Sequence, residues 1–139
     1  MIHDLSAILP HRAPMLLLTS LDDFSEAEAR ATAALQEGNP FLRADGILER
    51  TAYAELMAQC FAAGAGALAR IANRPPTAWG YLAALRDVIV HDDARLGETL
   101  AVSATIAARL GPVLVIEGEV RCAARLLATG QFKIFIPEG

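Results

Sequence analysis

The residues best placed to do chemistry are a carboxylate and an amide, Glu55 and Gln59. They lie inside the run TAYAELMAQCFAAGAGALAR, residues 51–70. Residues four apart share one face of a helix, so both side chains point into the same space. The run around them is apolar on every side, and a helix without a polar face has to be buried. An ionisable group on such a helix is costly unless it is paired, hydrated or used. Glu55 is therefore the first candidate for an acid–base role, with Gln59 as a hydrogen-bonding support beside it.

The segments that must hold this helix read mostly as strands. Residues 1–14 suggest a short helix or turn and a loop punctuated by Pro10 and Pro14. An apolar run at 15–21 reads as a short strand. Residues 27–35 alternate Glu28, Arg30 and Thr32 with small apolar side chains, the pattern of a half-buried strand. Residues 41–50 form a loop containing Asp45-Gly46, and Asn73-Arg74-Pro75-Pro76 stops the helix. Beyond Trp79, strands are expected at 81–91, 98–109, 113–122 and 126–136, with a turn at Gly111-Pro112. One-face alternation of this kind belongs to an antiparallel sheet solvated on one side.

One long helix among such strands predicts a two-layer α+β fold in a single domain, residues 1–139. Small residues at Ala58, Ala62, Ala63, Ala65 and Ala69 permit close approach of another element. A single sheet leaves the helix's far side open, so a second subunit is expected to complete the burial.

Size and composition fit this. A chain of 139 residues buries roughly 70% of the surface its unfolded form exposes. Hydrophobic residues make up 54% of the chain and the formal net charge is −4. That balance argues against disorder and against a nucleic-acid binder. Cys60 and Cys122 lack zinc-ligand spacing and the three histidines are scattered, so no metal site and no cofactor are expected. Both cysteines read as buried thiols in a reducing compartment. With no basic n-region and apolar core at the N-terminus, the chain is expected to be cytoplasmic. The central run is interrupted by Glu55, Gln59 and Arg70, which argues against a membrane span.

Four motifs, in order, carry a family resemblance. Ile8-Leu9-Pro10-His11-Arg12-Ala13-Pro14-Met15-Leu16-Leu17-Leu18 resembles the opening of the 3-hydroxyacyl-acyl-carrier-protein dehydratases, which have the hotdog fold. Asn39-Pro40-Phe41-Leu42 follows, and Ala54-Glu55-Leu56-Met57-Ala58-Gln59 is similar to the family's central-helix signature. Leu82 to Val88 and Arg95 to Leu100 match the strand–loop–strand beyond it. The pattern looks most like the divergent dehydratase-like proteins of aryl-polyene and related polyketide pathways.

The resemblance implies an antiparallel sheet wrapped around one central helix, and a carboxylate at Glu55 working with a loop histidine of a neighbouring subunit. The loop that carries that histidine maps onto Arg43-Ala44-Asp45-Gly46, where Asp45 stands nearest and no imidazole is present. The family's helix-opening Pro-Gly is Glu49-Arg50 here. Glu55 and Asp45 are thus the implied catalytic positions, with Gln59, Gly46, Arg50, Thr51 and Phe41 as implied substrate contacts. The implied partners are an acyl carrier protein bearing a 3-hydroxyacyl thioester and a second hotdog chain, in a homodimer or heterodimer. Arg43, Arg50 and Arg86 are candidates for meeting the acidic carrier, although scattered arginines usually form a solvated face. His3, His11 and His91 lie outside the matching loop and read as structural or surface residues. Three functions stay open: a dehydratase acting alone or within a pair, a non-catalytic hotdog subunit, and a thioesterase using the helix carboxylate.

Overall fold

The computed structural model describes residues 1–74 and 85–135. A short 3-10 turn, Leu5–Ala7, precedes the strands β1 (Ser20–Phe24) and β2 (Glu28–Ala34). The helix α1 (Ala52–Ile71) follows, then β3 (Leu85–Val90), β4 (Thr99–Leu110), β5 (Val113–Cys122) and β6 (Arg125–Phe135). All six strands form one antiparallel sheet in the order β1-β2-β4-β5-β6-β3. The sheet wraps α1, the one α-helix among the described residues, which is the hotdog arrangement.

Alternation places the core. Leu100, Val102 and Ala104 of β4 and Leu114, Ile116 and Val120 of β5 turn inward with Ala128, Phe132 and Ile134 of β6. Tyr53, Leu56, Met57, Cys60, Ala63 and Ala67 meet them from the helix. Met57 sits in a hollow left by the paired glycines Gly118 and Gly130, where an added Cβ would come within 2.7 Å of its sulfur. Asn73, at φ 53°, takes the left-handed position that ends the helix, and Arg74 N–H bonds back to the Ala69 carbonyl.

Two expectations are corrected. The apolar run at 15–21 is not a strand over most of its length, because β1 begins at Ser20. Leu17 and Leu18 are buried, but the Leu17 N–H and the Met15 carbonyl bond the Gln59 side chain instead of a neighbouring strand. Cys122 is only half-buried, with its thiol donating to Glu98, whereas Cys60 is fully enclosed. The expected strand at 81–84, Ile136 and the Arg86 side chain lie outside the described residues. Among the described residues, no helix is long and apolar enough to cross a membrane.

Candidate functional site

The site begins with how the N-terminal loop is fastened to the helix. Gly66 lets the loop in close: a Cβ there would stand 2.3 Å from the Ile8 carbonyl oxygen. The Arg12 guanidinium bonds the Leu9 and His11 carbonyls, each at 2.8 Å, and the Met15 N–H returns to the Arg12 carbonyl. Gln59 then clamps the far end of the loop. Its Oε1 accepts from Leu17 N–H at 2.9 Å, and its Nε2 donates to the Met15 carbonyl at 2.8 Å.

Those main-chain partners fix which way the amide faces, since a flipped amide would set oxygen against carbonyl and N–H against N–H. Nε2 therefore also faces Glu55, donating to its Oε1 at 2.9 Å. The fastened loop brings His11 to the same oxygen, with Nε2 at 3.4 Å. Glu55 and His11 side chains keep 25% and 30% of their exposure, so both touch solvent at the rim of an otherwise packed region. Gln59 is 1% exposed and has no amide hydrogen left for a ligand. His11 Nδ1 is buried without a hydrogen-bond partner among the described residues.

The structure puts Asp45 elsewhere in the local bonding. It lies in a tight loop closed by the Leu42–Leu48 bridge, with Gly46 at φ 82° completing the turn. One Asp45 oxygen accepts from Arg43 at 2.7 Å and the other from Ile47 N–H at 3.1 Å, so both serve the turn. Arg50 pairs with Asp93 at 3.3 Å. Thr51 precedes the helix without a side-chain capping bond, and Phe41 packs half-buried against the core. Two amides at the helix start are already used, Ala52 N–H by the Glu49 carbonyl and Tyr53 N–H by that of Arg50. Buried Tyr53 anchors this end: its hydroxyl donates to the Asp92 carbonyl and accepts from Ala94 N–H. Burial raises the pKa of that phenol.

The single chain leaves one helix stripe partly bare, running through Ala54, Ala58, Phe61, Ala65 and Leu68. Along its second half lies a cleft of about 540 Å³, floored by Phe61, Ala65 and Leu68 and walled by Ala29, Ala104 and Ile106. Neither Glu55 nor Gln59 lines it. β3 forms one outer edge of the sheet, with Ile89 56% exposed on it. No group of three or more His, Cys, Asp and Glu side chains that could hold a metal converges among the described residues.

The profile of the ApeP-like family, described as ApeP dehydratase, matches residues 3–139. The chain belongs to the ApeP-like family. Comparison with curated protein sequences finds no match. Among solved structures, it is similar to the dehydratase heterocomplex ApeI:P from Xenorhabdus doucetiae. The identity is 24%, the TM-score 0.84, and the match covers 96% of this chain and 91% of that one. It also resembles zebra fish thioesterase superfamily member 2, at 14% identity and TM-score 0.71, covering 94% and 90% of the two chains. A hypothetical thioesterase from Streptococcus pneumoniae, solved with coenzyme A, matches at 11% identity and TM-score 0.68, covering 85% and 84%. At these identities the structures speak for the fold, and the family profile for a dehydratase-like hotdog protein.

For this ApeP-like chain, sequence reasoning brought Glu55 and Gln59 together as the structure does. It assigned His11 to the scaffold, and the structure sets that ring against Glu55. The contact spans 44 positions, so no spacing rule reaches it. A usable signal was present in Gln59: a buried amide needs main-chain partners, and the proline-bounded loop around His11 could supply them.

Proposed function

We propose that this chain is the carboxylate-bearing subunit of a 3-hydroxyacyl-acyl-carrier-protein dehydratase, in fatty-acid or polyketide biosynthesis of the aryl-polyene type. It works beside a second hotdog chain that contributes an imidazole. One observation carries the reading: Glu55, on an otherwise apolar helix, is oriented through Oε1 by Gln59 while its side chain still reaches solvent.

The reaction breaks the C2–H and C3–O bonds of the thioester, forms the C2=C3 double bond and releases water. One group takes the C2 proton and another gives a proton to the departing hydroxyl. Glu55 Oε2 serves the hydroxyl side, and the imidazole of the second chain serves C2. The bare stripe along α1 and the open edge of β3 are where that chain would pack and pair, since an apolar sheet edge is a liability until covered. The family resemblance and the likeness to a dehydratase heterocomplex support a mixed pair.

The test is dehydration of a 3-hydroxyacyl carrier protein, followed by mass spectrometry, with this chain alone, with a second hotdog dehydratase, and with Glu55→Gln in the pair. Turnover by the pair that falls about 10²–10⁴-fold on substitution, with assembly intact, supports the reading. Unchanged turnover would make this chain a scaffold. Release of free acid in place of the enoyl product would make it a thioesterase.

A further inference from the structure

We infer that His11 is a positioning residue, which clamps Glu55 through Oε1 and so leaves Oε2 as the one oxygen that exchanges protons with substrate. The inference rests on the reading of Glu55 given above, and goes beyond it by assigning separate work to its two oxygens and to a histidine outside the family's catalytic loop.

The argument is a count of donors and acceptors. Gln59 presents N–H to Oε1, because its oxygen is committed to Leu17 and its other amide hydrogen to Met15. Oε1 is therefore an acceptor, and a proton carried by Glu55 resides on Oε2. His11 presents Nε2 to that same Oε1 at 3.4 Å, while its Nδ1 is buried with no partner among the described residues. An orphaned buried N–H is rarer than an under-satisfied acceptor, so the lone pair belongs on Nδ1 and the hydrogen on Nε2, the ring nitrogen nearest Glu55. One ring nitrogen is enclosed and the other is the one nearest Glu55. It acts through the carboxylate.

The 3.4 Å separation is longer than a formed hydrogen bond. Catalytic hydrogen bonds are often long in the unliganded state and tighten in the loaded complex. Ile8 against Gly66, and Met15 and Leu17 on Gln59, fix both ends of the loop and keep His11 beside Glu55. Two donors on one oxygen then fix the carboxylate's rotation and leave Oε2 free of both.

The experiment compares His11→Ala and His11→Gln in the assembled pair, with 3-hydroxyacyl carrier protein as substrate. Glutamine places an N–H near the position of Nε2 but cannot shuttle protons as imidazole does. We expect His11→Ala to lower kcat about 10–100-fold with KM little changed, and His11→Gln to restore most of that loss. Equal losses in both variants would overturn the inference, because the ring itself would then be exchanging protons, as would an unaffected kcat in His11→Ala. A second readout needs no turnover: the 13C resonance of the Glu55 carboxyl in the assembled pair should shift in His11→Ala and return in His11→Gln. A resonance that ignores His11 refutes the clamp, whereas unchanged turnover in Glu55→Gln refutes the reading of Glu55. Thermal unfolding and gel filtration of each variant separate either result from a misfolded loop.

Discussion

Replacing Gln59 with Leu tests the joint on which the site hangs, and its cost follows from the hydrogen bonds. The amide is buried and makes three bonds, to Leu17 N–H, the Met15 carbonyl and Glu55 Oε1. Leucine fills similar space and makes none. The orphaned Leu17 N–H is buried, and a buried unsatisfied group costs about 1–3 kcal/mol. The Met15 carbonyl, on a residue that reaches solvent, should cost about half as much. Burying the added apolar surface offsets roughly 1 kcal/mol, leaving a net loss of about 2 kcal/mol. At about 2.1 cal/mol/K per residue, the 139 residues give an unfolding entropy of about 0.29 kcal/mol/K. The expected fall in Tm is therefore about 7 °C by calorimetry. Gln59→Glu retains an acceptor for Leu17 but sets oxygen against the Met15 carbonyl and a second carboxylate beside Glu55, so it should be destabilised at least as much. A fall under about 2 °C in both variants would refute the assigned orientation of this amide and everything built on it.

Further outcomes follow from other parts of the fold. Gly66→Ala adds a good helix former, worth about 1 kcal/mol in an open helix. Its Cβ would nevertheless stand 2.3 Å from the Ile8 backbone carbonyl, so overpacking wins, with a net loss of about 1–2 kcal/mol in denaturant unfolding. A stabilised variant would contradict the close seating of the loop. Burial pushes the Cys60 thiol up to about 12, so a thiol reagent at neutral pH should label Cys122 first and Cys60 only on unfolding. Equal rates would contradict the packing around α1. The Asp93 N–H and then Arg125 hold the Asp92 carboxyl below its ordinary range. Burial alone would raise Glu98, but the Cys122 thiol, Arg95 N–H and Arg125 together bring it below its ordinary value. Groups depressed in this way stabilise the fold above the unfolded-state values and lose that stabilisation as pH falls through the folded-state ones. The stability difference between wild type and Arg125→Gln should thus be full above about pH 5 and shrink below it. A difference independent of pH from neutral to acid would contradict this network.

The fold was legible wherever a local pattern and the tertiary structure asked for the same thing. Residues 113–122 form β5 with both bounds as read, because Gly111-Pro112 forces the turn and the strand alternates from Ile116 onward. Residues 51–70 came within one residue of α1 at either end, with Asn73 marking the stop. At 15–19 the signal misled: an apolar run without alternation is satisfied by burial alone, and here a side-chain amide replaces the strand ladder. Glu55 and Gln59 could be paired from their spacing, since that contact is helical. The third member, His11, arrives through the Gly66 and Gln59 contacts, neither of which leaves a periodic trace. Asp45-Gly46 reads as a turn dipeptide, and both oxygens of Asp45 are spent on the turn.

The most direct measurement is turnover of a 3-hydroxyacyl carrier protein by the mixed hotdog pair carrying Glu55→Gln in this chain, beside the wild-type pair and this chain alone. The account predicts rapid dehydration by the wild-type pair, little by this chain alone, and a loss of about 10²–10⁴-fold on substitution without loss of assembly. Undiminished turnover in the substituted pair, or robust dehydration by this chain alone, would contradict it.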